Sequence, residues 1–180
     1  MNPQPQEVVE FWRAAGARRW FARDAAFDAE CASRFLEAHH AAARREFENW
    51  MEDAQGGLAL LILLDQIPRN VFRGSAHAYA TDGLARAYAR RALEAGFDAQ
   101  VEPGLRTFFY LPFEHSEDLA DQERALFLHR ALPGENPDHW ARIHHDIIRR
   151  FGRFPHRNAV LGRTTTPEER AFLDSGGFSG

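Results

Sequence analysis

Helix punctuation, repeated from one end of the chain to the other, narrows the choice of fold more than any other feature. After Pro3 and Pro5, the residues Val8, Val9, Phe11, Trp12 and Ala15 share one helical face, and Gly16 supplies a stop. Asp24 or Asp28 is placed to cap a longer helix through Cys31, Phe35 and Leu36 towards Arg44, with EFENWM as a short continuation. Asp53 is placed to cap the run that ends near Gln66. Thr81 or Asp82 opens a stripe of Leu84, Tyr88, Ala92 and Leu93, closed by Gly96 where a left-handed residue is wanted. Pro103 begins a helix reaching Phe113, and Ser116 with Asp118 opens the next, carrying Leu119, Leu126, Phe127 and Leu132. Asn136 and Pro137 pair as cap and first turn for a helix through Trp140, Ile143, Ile147 and Ile148, and Thr166, Pro167 and Glu169 read as a capping box. No stretch alternates in the manner of a half-buried strand. The expectation is therefore an all-α fold of seven or eight helices, joined by short connections and packed as antiparallel hairpins, in one domain over 1–180 with 171–180 as a frayed tail.

The 180 residues and their 44% hydrophobic content suit one domain with a sizeable core. A net charge of −4, well mixed along the chain, gives no footprint for nucleic acid or a membrane surface. All 22 basic residues are arginines, a bias of composition that weakens any single arginine as a sign of anion recognition. Cys31 is the single cysteine, which excludes an intrachain disulfide and a CxxC site and reads as a buried, inert thiol. The longest oily run, Leu58 to Leu64, is far below the ~20 residues that span a bilayer, and MNPQPQEVVEFW has no secretory pattern. A cytoplasmic protein is expected.

Three segments carry polar groups where a chain leaving its core has little need of them. In ILLDQIPRNVFRG, Pro68 removes a backbone N–H and is expected to end the helix at Ile67, leaving the Leu64 carbonyl without its usual donor. Asp65, Gln66, Arg69 and Asn70 follow, either as an arginine-rich helix end or as one wall of a polar cavity. In FFYLPFEHSEDLADQ, His115, Ser116 and Glu117 arrive together, either as helix-capping groups or as an acid–base couple. In RFGRFPHRNAVLGR, Gly152 and Pro155 force an irregular path that presents Arg153, His156, Arg157 and Asn158 between Phe151 and Phe154, with no acidic residue from 147 to 167. His39 and His40 sit in an alanine-rich helix and read as ordinary surface or core-edge residues. No metal-ligand spacing or cofactor motif is present, so no metal and no cofactor are expected.

With LLDQIPRNVFRG, YLPFEHSEDLADQE and RFGRFPHRNAVLGR in that order, the chain resembles the bacterial family known as domain of unknown function 924, from VVEFW to TTTPEERAFL. The resemblance implies a tetratricopeptide-like all-helical fold and brings no activity with it. The three segments are expected to line one mixed-charge pocket for a small anionic or zwitterionic ligand or a peptide terminus. Arg69, Arg153 and Arg157 would hold the anion, Asp65 and Glu117 would orient them, and Gln66, Asn70 and Asn158 would complete the hydrogen bonds. Two alternatives stand beside it: a hydrolase using a His–carboxylate pair at His115 or His156 beside Glu117, with or without a metal, and a purely structural ion-pair network in a helical interaction module.

Overall fold

The computed structural model describes residues 2–178, and among them there is no β-strand. The α-helices are α1 (Pro5–Ala15), α2 (Ala17–Trp20), α3 (Ala25–Ala43), α4 (Ala54–Leu61), α5 (Ile67–Val71), α6 (Asp82–Glu94), α7 (Thr107–Glu114), α8 (Leu119–Arg130), α9 (His139–Phe151) and α10 (Pro167–Asp174). The anticipated caps at Asp24, Asp53 and Asp118 each accept backbone N–H groups of the following turn. Thr166 and Glu169 close the capping box at α10. Gly16 and Gly96 take the positive φ expected of helix stops. Among the described residues no helix is long and apolar enough to cross a membrane.

Backbone contacts divide the chain into two compact units, Met1–Arg73 with His77–Pro112, and Gly74–Ala76 with Phe113–Gly180. In unit 1, α4 is the central helix, and Leu58 to Leu64 are all buried because neighbouring elements surround it. It packs against α1 and α6, while α3 lies against α5. An aromatic cluster of Phe11, Trp12, Phe27, Phe35 and Phe108 fills one side, with Trp20 donating to the Trp12 carbonyl at 2.6 Å. A Cβ at Gly56 would lie 2.0 Å from the Trp50 carbonyl oxygen, so glycine is what lets α4 meet the turn before it. Cys31 is buried as expected, and burial, aided by Asp28 and Glu30, pushes its thiol up to about 12. In unit 2, α8 and α9 pack on each other, and Ile147, Ile148 and Phe154 form a core against Phe151, Phe172 and Phe178.

Four local expectations are corrected. EFENWM does not continue α3: Arg45 takes φ 62°, and the chain resumes as a 3-10 turn over Glu48–Glu52. Asn136 takes φ 55° instead of capping, so α9 starts at His139 after Asp138. The helix does not end at Ile67. A π-helical turn over Ile62–Gln66 absorbs Pro68, and the Ile67 N–H reaches back to the Ile62 carbonyl while proline falls in the first turn of α5. Finally, part of the expected tail is helical, since α10 runs to Asp174, and beyond it the Phe178 ring packs 4.5 Å from that of His144. Residues 179–180 of the expected tail lie outside the described residues.

Candidate functional site

In unit 1 side chains reach the carbonyls around the π turn, where Pro68 supplies no N–H. His39 Nδ1 bonds the Leu63 oxygen at 2.9 Å, Thr81 Oγ1 donates to Leu64 at 2.5 Å, Arg69 to Asp65 at 2.6 Å and Asn70 Nδ2 to Gln66 at 3.1 Å. A buried carbonyl left bare is costly, so this polar segment serves the backbone first. Its charges close on one another as well. Gln66 donates to the Asp65 carboxylate at 2.6 Å, and Arg69 lies 3.1 Å from it while gripping Asp82 with both terminal nitrogens at 2.9 and 3.0 Å. Burial pulls Arg69 down, but Asp65 and Asp82 more than offset it and hold the guanidinium above its ordinary range. Arg73 forks onto Asp28 at 2.8 and 2.9 Å. His39 is fully buried here, not at a surface or core edge.

In unit 2 the GRFPHRN loop is held by two forked pairs. Arg153 meets the buried Glu169 at 2.6 and 2.8 Å and donates to the Thr164 carbonyl. Arg163 meets Glu117 at 2.6 and 3.0 Å and also donates to Asn158 and to the Phe154 carbonyl. Glu117 accepts the Phe154 N–H, and Asn158 Nδ2 reaches Glu169 at 3.1 Å. The Arg153 fork and the Thr166 N–H bring the Glu169 carboxyl down to about 2. Burial works to raise Glu117, but Arg163 and the Phe154 amide leave it lowered. Thus Arg153, Glu117 and Asn158 do come together, through partners, Arg163 and Glu169, outside the expected set. Glu169 was legible only as a capping-box acid; its second duty towards Arg153 depends on a contact sixteen residues away.

Beside that loop lies a buried basic cluster. Arg157 sits over the Phe154 ring at 4.4 Å, and the His156 ring is 5.6 Å from the same phenyl. The His115 and His144 rings are 6.3 Å apart, and Phe178 covers both His144 and His156. Burial first, then the charge of Arg157 and the neighbouring imidazoles, pull His144 and His156 down to about 3, so both are neutral at ordinary pH. The His156 Nδ1 is buried without a hydrogen-bond partner. Glu114, also buried, has one oxygen 3.2 Å from His144 Nδ1 and the other 3.5 Å from His129 Nε2. Because His129 gives its Nδ1 proton to the Ala125 carbonyl, it shows Glu114 a lone pair, an approach that is favourable only with one proton between them. Ser116 turns away from this group and donates to Asp121, and Gln122 donates to the Glu114 and Ser116 carbonyls at 2.6 Å.

A cleft of about 350 Å³ opens elsewhere in unit 1, among Val9, Arg13, Asp53, Gln55, Gln100 and Glu102. None of the residues expected to bind a ligand lines it. Arg13 and Glu102 pair across it at 2.7 Å.

The polar segments that organise both units are the ones that carry the resemblance noted in the sequence, and comparison with known proteins agrees. The model of a family described as bacterial protein of unknown function (DUF924) matches residues 8–177. The chain belongs to the DUF924 family. A solved structure of a protein of unknown function from Agrobacterium tumefaciens is 55% identical, with a TM-score of 0.92 over 96% of this chain and 97% of its own. No curated protein matches. DUF924 membership establishes kinship, and neither the family description nor that of the solved relative names an activity.

Proposed function

We propose that this DUF924 protein is a tetratricopeptide-like helical binding module whose unit 2 takes up a small anion, a carboxylate or phosphate group, on Arg157 with His115 and His156. The unpartnered Nδ1 of His156 carries this reading. It is buried next to Arg157, and both residues lie against the Phe154 ring. An anion entering there offers an acceptor to the imidazole and to the charge-assisted donors of the guanidinium. Glu114 supplies the complementary contact for an amino group, so a zwitterion or a peptide terminus also fits. Asp65, Gln66, Arg69 and Asn70 are assigned to supporting the π turn. Thermal denaturation in inorganic phosphate, against chloride at matched ionic strength, tests the reading. A phosphate-specific rise in Tm that disappears in His156→Asn and Arg157→Met supports it, and equal Tm in the two salts for the unaltered protein refutes it.

A second reading, hydrolysis by a His–carboxylate pair, is favoured by the 3.5 Å approach of a Glu114 oxygen to His129 Nε2, and not by Glu117, whose oxygens are engaged by Arg163 and the Phe154 amide. Turnover of a chromogenic ester, abolished in a folded Glu114→Gln variant, would establish it. Absence of turnover in the unaltered protein between pH 5 and 8 would remove it for that substrate class.

A further inference from the structure

Outside the cluster just described, unit 1 gathers three histidines from two elements. His39 and His40 are consecutive on α3, and His77 lies in the 3-10 turn Ala76–Tyr79. One ring nitrogen from each lies within 4.8 Å of the others. Ring centroids are 5.2 Å apart for His39 and His40, 6.0 Å for His40 and His77, and 6.1 Å for His39 and His77. From these positions we propose that His39, His40 and His77 form a binding site for a divalent late first-row transition ion, of which Zn²⁺ is the representative.

The state of His39 is the independent observation. A carbonyl oxygen only accepts, so the contact with Leu63 places the proton of the neutral ring on Nδ1 and leaves a lone pair on Nε2. That Nε2 is buried and has no hydrogen-bond partner. A metal-ligating histidine has this construction: its second ring N–H is donated to a backbone carbonyl, which sets the tautomer and aims the other nitrogen at the ion. The carbonyl in question belongs to the π turn, so the irregularity that accommodates Pro68 also orients the ligand.

Geometry and donor chemistry select the class of ion. Nitrogens of one tetrahedral site are about 3.3 Å apart, given metal–nitrogen bonds of roughly 2.0–2.1 Å. The observed spacing therefore closes with small rotations of His40, which is half-buried, and His77, which is exposed. Phe72 is stacked on His77 at 4.1 Å and touches both other rings, an apolar wall that limits where the imidazoles turn. Three imidazole nitrogens suit zinc, copper, nickel or cobalt, whereas Mg²⁺ and Ca²⁺ require oxygen donors that this set lacks. With three protein ligands and an exposed side at His77, a fourth position is left for water or an exogenous ligand.

The test is calorimetric titration of tag-free full-length protein with Zn²⁺, paired with Co²⁺ titration followed by visible absorption. One equivalent bound, with the intense visible bands of tetrahedral Co²⁺, is expected. His77→Ala, at an exposed position that leaves folding intact, and His40→Gln should each weaken Zn²⁺ binding at least tenfold, while His145→Ala should leave it unchanged. No stoichiometric binding, or binding unaltered in both His77→Ala and His40→Gln, overturns the proposal.

Discussion

The two proline-bearing polar segments, DQIPRN in unit 1 and GRFPHRN in unit 2, look alike in sequence and solve different problems. In the first, the chain stays helical through a π turn, and side chains of His39, Thr81, Arg69 and Asn70 donate to the carbonyls around it. In the second, the chain leaves the helix at the left-handed Gly152, and forked guanidinium–carboxylate pairs hold the irregular path. Polar residues near a proline thus report a backbone debt in one region and a side-chain scaffold in the other. What remains for chemistry is a separate set, the imidazoles beside Arg157 and those on α3.

The largest expected effect lies in unit 2 and appears with acid. His144 and His156 have folded values of about 3 against 6.5 for the free side chain, so below pH 6.5 the unfolded chain binds more protons than the folded one. Stability is therefore full above 6.5 and falls as pH drops towards 3, by an amount on the order of several kcal/mol. Chemical denaturation across that range measures it, and His144→Asn should flatten the decline. If the slope is unchanged, the burial of this cluster has been misread. Phosphate should oppose the same decline if the anion reading holds.

Next in size is Arg69→Met. It leaves Asp65, 1% exposed, without its cation, and should cost about 3 kcal/mol in urea unfolding, at the lower end for a buried pair because the Arg69 side chain is 18% exposed. Arg153→Met in the loop should cost distinctly less, since that guanidinium reaches solvent more freely and one oxygen of Glu169 keeps the Thr166 N–H and Asn158 as donors. Equal losses would erase the contrast between the segments. Thr81→Val, which bares the Leu64 carbonyl while keeping shape, should cost roughly 1–2 kcal/mol. Glu169→Gln is set apart by its pH dependence: with its folded value near 2 and an ordinary value of 4.5, this carboxylate stabilises fully above pH 4.5 and loses that contribution as pH falls through about 2. The variant should therefore differ least from the unaltered protein at the acid end, as pH-dependent unfolding will show.

Helix existence was legible because it depends on neighbours in sequence. Asp24, Asp53, Asp118 and the Thr166–Glu169 box cap where their spacing says they should, and the apolar stripe of α9 faces its core. Where proline met a buried helix, the reading failed, since Pro68 breaks an isolated helix but not one whose stranded carbonyls find His39 and Thr81 from other elements. Of the expected ligand residues, the arginines were visible but their partners were not: Asp82, Glu169 and Arg163 lie 13, 16 and 46 residues from Arg69, Arg153 and Glu117. His39 reads as a surface or core-edge residue for the same reason, its partner carbonyl being 24 residues distant.

By itself the sequence determined the class of fold, the positions of most helix starts and the segments in which polarity is concentrated, because caps, periodicity and proline act within one or two turns. Tertiary structure alone decided which charges cancel, which imidazoles stay neutral and which lone pair is left over. Those outcomes depend on burial and on distances of a few ångströms between residues far apart in the chain, and neither is written in local order.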